Sequence, residues 1–112
     1  MHKKTIIIPI YQYQLTMIFN KNIEEVAKQH KLTLYYDYSA LTFEDDVKHR
    51  HIIVAFSDAK DLSIIAHEIV HIKNYIFLRI GANLDLNNDE FEAYLTMYLF
   101  DKIYNFLSKI NT

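Results

Sequence analysis

The stretch that decides the fold runs from Leu62 to Gly81, LSIIAHEIVHIKNYIFLRIG. Apolar residues occupy nearly every helical angle and no proline interrupts it, so it predicts one long helix over 62–80, central and largely buried. Gly81 is the natural stop, because glycine takes the left-handed conformation that closes a helix without a Cβ clash. Polar residues set among Ile64, Ile65, Ala66, Ile69, Val70 and Ile72 need a reason to be there. They are ordered His67-Glu68-Ile69-Val70-His71.

Residues four apart on a helix differ by about 40° of rotation and about 6 Å of rise, so both imidazoles leave one face and can meet on one ion. Glu68 lies about 100° round from His67, beside such an ion rather than on it, where it can take a proton from water. Zinc suits this pattern, since a catalytic zinc keeps three protein ligands and one open position. The chain has no cysteine, so any metal must be held by His, Asp or Glu. The alternative is a core helix whose two histidines are satisfied by backbone or carboxylate partners. Burying two imidazoles and a carboxylate without a shared purpose is costly, which favours the metal.

A third ligand must come from elsewhere, and the candidates are Asp85, Asp89, Glu90 and Glu92. A second long helix over about 89–107, packed antiparallel after the loop 82–88, would return its first turn toward the histidines. Ala93 and Tyr94 follow Glu90 at three and four residues, with a small side chain where two helices approach, which favours Glu90. Glu92 has a structural use instead, closing a capping box begun at Asp89.

Upstream the chain reads differently. The segments 51–56 and 32–38 are β-branched and aromatic, separated by the polar run 44–50, and predict two strands joined by a loop or hairpin. Ile23 to His30 predicts a short helix, capped by Asn20 or Asn22 and acidic at its start. Residues 5–19 predict one strand, with Pro9 at an edge, a bulge or an irregular start. Strands come first and long helices last, so the fold class is α+β, in a single domain over 1–112.

Of the 112 residues, 51% are hydrophobic and 23% charged, an ordinary globular composition with room for one core. A net charge of -2 provides no field to hold a nucleic acid or an anionic membrane. Residues 1–10 imitate a signal peptide, but Tyr11-Gln12-Tyr13-Gln14 interrupts the apolar run and no small-x-small cleavage site follows. No stretch approaches the eighteen or so uncharged residues of a membrane span. The expected location is the cytoplasm.

Two helical segments, His67-Glu68-Ile69-Val70-His71 and Asn88-Asp89-Glu90-Phe91-Glu92-Ala93-Tyr94-Leu95, resemble the small gluzincin-type metallopeptidases of phages and prophages. Ile8-Pro9-Ile10-Tyr11 and Ala40-Leu41-Thr42-Phe43 extend the resemblance over most of the chain. It implies a minimal zincin-like domain with a small N-terminal sheet and short helix followed by two long packed helices. In such a domain Zn2+ sits on His67, His71 and Glu90, with Glu68 as general base. It implies a peptide or protein substrate and, for a phage-encoded chain, the host cytoplasm. Two departures concern the loop and helix packing: no glycine follows Tyr11, and Thr96-Met97 replaces the small residues that often follow the Ala-Tyr pair.

Other residues are candidates for supporting parts. His49, His51 or Tyr94 could steady a developing oxyanion, and Asp101 could orient an imidazole. The leading expectation is a zinc metallopeptidase whose extended substrate lies along a sheet edge. The competing one is a zinc-stabilised phage or prophage interaction protein that cleaves nothing.

Overall fold

The computed structural model describes residues 1–110. Seven elements follow in order: β1 (His2–Ile8), β2 (Tyr13–Phe19), α1 (Ile23–Gln29), β3 (Ala40–Glu44), β4 (His51–Phe56), α2 (Leu62–Ile80) and α3 (Glu90–Ser108). They form a four-stranded sheet of order β1-β2-β4-β3, with β2 and β4 parallel and the outer pairs antiparallel. The fold is α+β, as the element types imply.

The parallel pair explains the sequence of the central strands. Helices cover both faces of the sheet there, so β2 and β4 read as nearly continuous apolar runs. One face carries Leu15, Met17, Ile52, Val54 and Phe56 against the inner sides of α2 and α3. The other packs Ile18, Ile53 and Ala55 against Ile23 and Val26 of α1.

Three expectations are corrected. The single strand over 5–19 is a hairpin, β1 and β2, turned at Pro9–Gln12. Its turn places Ile10 at φ 72° and Gln12 at φ 55°. Such angles normally call for glycine or asparagine, so no residue type announced the turn. The segment 32–38 forms no strand: Tyr35 and Tyr36 are exposed, and the chain pairs with β4 only from Ala40. Finally, α2 is buried on one side only. Ile65, Ile69, Ile72 and Ile76 face the core, while Val70 and Leu78 are exposed.

The ends of α2 fall where the sequence puts them. Asp61 Oδ1 accepts from the backbone amides of Ser63 (3.0 Å) and Ile64 (3.4 Å), and Gly81 closes the helix at φ 74°. Neither Asn22 nor Asp89 makes a side-chain cap, and no capping box forms at α3. Among the described residues no helix is long and apolar enough to cross a membrane.

Candidate metal centre

His67 and His71 leave one face of α2 as their spacing requires, and their Nε2 atoms stand 3.2 Å apart. Two nitrogens on one tetrahedral zinc, each bonded at about 2.0 to 2.1 Å, lie about 3.3 Å from each other. The dyad is therefore already spaced as two ligands of one ion. Its rings meet edge to face, with centroids 5.0 Å apart. The His67 side chain is 69% exposed, so solvent reaches the nitrogens freely.

Glu68 differs in both burial and support. It is buried, with Oε2 3.8 Å from His67 Nε2, near the dyad but outside the spacing of the two nitrogens. Thr42 Oγ1 donates to Glu68 Oε1 at 2.7 Å. A charge-assisted hydrogen bond of this kind fixes the rotamer and offsets part of the desolvation of the carboxylate. Thr42 stands on β3, the edge strand that crosses α2. A second tie holds that strand: Arg79 donates to both oxygens of Glu44, at 2.8 and 2.7 Å. This hydrogen bond, with the guanidinium charge, holds the Glu44 carboxyl below its ordinary range despite partial desolvation.

The dyad and Glu68 line a cleft of about 760 Å³ between α2, β3 and the loop before β3. Residues Ala40 to Phe43 form one wall, and Ile64, Tyr75 and Tyr38 contribute others. Tyr75 continues the stripe of His67 and His71 by one more turn. Sequence reasoning overlooked both Tyr75, although the i, i+4 spacing exposes it, and the hydroxyl of Thr42, for which no local signal exists.

Among the described residues, His67, Glu68 and His71 are the one group whose donors converge closely enough for a metal, all within 4.8 Å. Glu90 is not brought to it. The buried face of α3 is Leu95, Leu99, Ile103 and Leu107, which turns Glu92 toward α2, where it pairs with the buried Lys73. Glu90 is exposed, about 200° round from Glu92. Lys73 itself is about 200° round α2 from His71, so α3 packs on the far side of α2 from the dyad. Glu92 thus faces the neighbouring helix, paired with Lys73 rather than closing a cap, and Glu90 faces solvent. Ala93 is exposed and makes no close helix crossing.

The remaining candidates lie apart from the cleft. His49 and His51 line a different hollow with Tyr13, Glu44 and Arg79. Tyr94 and Asp101 border a groove on the outer face of α3.

The chain matches no protein-family model, no curated protein and no solved structure.

Proposed function

We propose that this protein is a zinc-dependent peptidase with a minimal zincin-like fold, akin to the small metallopeptidases of phages. The observation that carries the reading is the 3.2 Å separation of the two Nε2 atoms beside a buried, hydrogen-bonded carboxylate. His67 and His71 would hold the ion. When bound, zinc supplies a Lewis acid that makes water a stronger nucleophile and polarises a carbonyl. Glu90 is outside the gathered donors, so in this proposal the protein contributes two nitrogens and leaves the other positions to solvent and substrate.

The chain's own residues account for the rest. Glu68 Oε2 takes a proton from the attacking water and passes it to the departing amine, while Thr42 keeps Oε1 engaged so that one oxygen faces the reaction. Tyr75, on the same helix face and lining the cleft, supplies a hydroxyl that donates to the developing oxyanion in this reading. Among the described residues the outer edge of β3 has no strand partner. A peptide added there pairs through its main chain, which positions a scissile bond over the dyad without demanding a particular side chain.

Glu68→Gln is the test. The amide keeps the volume and the Thr42 contact but cannot accept the proton. Zinc binding by isothermal titration should stay within a few-fold of the parent, while hydrolysis of a denatured-protein or peptide-library substrate should fall roughly 10²- to 10⁴-fold. Parent-like cleavage by the variant would remove Glu68 from the mechanism.

A further inference from the structure

The groove on the outer side of α3 has a volume of about 400 Å³ and is walled by the β1–β2 turn and by Phe91, Tyr94, Met97 and Tyr98. Ile10 is 81% exposed at its rim, and Phe91, Tyr94 and Met97 are each more than half exposed. The apolar strip continues one turn further to Tyr104, 46% exposed and stacked on Phe100. An aromatic side chain presents about 150 to 250 Å². Five side chains exposed to this degree leave on the order of 500 Å² of contiguous apolar surface, in the upper part of the range of about 300 to 600 Å² found for the largest patch on a monomer. It is also the apolar share of one half of a standard interface, about 65% of about 800 Å².

We propose that the occupant is a second copy of this chain, packed antiparallel through α3 about a two-fold axis between Met97 and Tyr98. Such an interface must be self-complementary, because each contact occurs twice. The strip meets that demand. Rotation about this axis sets Tyr94 against the partner's Asp101, a hydroxyl donor against a carboxylate. Met97 lands beside its own copy at the centre. Asp101 is the one charge lining the groove and forms no ion pair among the described residues, so its carboxylate is available to that hydroxyl. None of these residues lines the cleft of the dyad, so the dimer and the peptidase reading stand or fall separately.

The absence of cysteine makes the test direct, since an introduced thiol can cross-link only to its own copy. Sedimentation of the full chain at about 100 µM should give twice the 13.4 kDa monomer mass. Met97→Cys under mild oxidation should become a covalent dimer at least tenfold faster than Val47→Cys, which places a more accessible thiol (88% against 57% exposed) on the distant β3–β4 connection. Met97→Glu should sediment as a monomer with an unchanged circular dichroism spectrum. A wild-type monomer would overturn the proposal, whether or not the groove takes up an apolar dye. So would a dimer in which Met97→Cys cross-links no faster than Val47→Cys, because the copies would then meet through another face.

Discussion

Two regions of this molecule set a histidine against a carboxylate, and they do so to opposite ends. On the sheet face that α1 leaves uncovered, His51 Nδ1 donates to Asp45 Oδ2 at 2.8 Å. Nε2 is hydrogen-bonded to Thr16 Oγ1 at 2.6 Å, and Thr16 Oγ1 to Thr5 Oγ1 at 2.8 Å. Every valence of the ring is used. The Asp45 carboxyl is held below its ordinary range, first by the backbone amide of Val47 and then by His51. At the dyad on α2 the nitrogens point at one another and at solvent. A histidine closed on both sides braces a sheet; a pair open on one side can receive an ion.

The largest effect that could break this contrast is on metal binding. His67→Ala or His71→Ala should each lower zinc affinity by at least two orders of magnitude in a competitive chelator titration, whereas His51→Ala should leave it unchanged. Zinc lost equally in all three variants would mean that the closed histidine and the open pair are not distinct in kind.

The next effect is on stability and runs the other way. Asp45→Asn should cost about 1 to 2 kcal/mol in urea denaturation at pH 7, since it weakens the bonds to His51 and to the Val47 amide. Its pH dependence has a definite sign. A carboxyl whose folded pKa is depressed contributes stability that is present above its unfolded value, about 3.9, and is lost as pH falls through the lower folded value. The variant should therefore show a shallower loss of stability below about pH 4 than the parent. An acid limb as steep as the parent's would show that Asp45 is not held in this way.

The smallest expected effect is none at all. Glu90→Gln should change zinc affinity by less than about twofold, because α3 packs on the far side of α2 from the dyad. A tenfold or greater loss would return Glu90 to the ligand set and require α3 to sit differently.

What could be read in advance was what is local along the chain. Both ends of α2 follow from residues within a turn of them, and the two imidazoles share a face by helical arithmetic alone. The face of α3 was equally local yet misread: Ala93 suggested a helix crossing, while the four-residue spacing of Leu95, Leu99, Ile103 and Leu107 fixes the buried side and sends Glu90 outward. The hairpin was hidden because non-glycine residues adopt its turn angles. The Thr42 bond to Glu68 joins residues 26 apart in sequence, and no pattern in either segment carries it.

The parallel pairing of β2 and β4 has a consequence for the order of assembly. Gln14 opposite His51 closes a long loop through α1 and β3, so the centre of the sheet must wait for a slow, non-local event. The dyad waits for nothing of the kind, because one stretch of helix carries both imidazoles. Thr42 arrives only when β3 docks beside β4. The two imidazoles are therefore brought together by helix formation alone, whereas Glu68 gains its hydrogen bond only when the edge strand is in place.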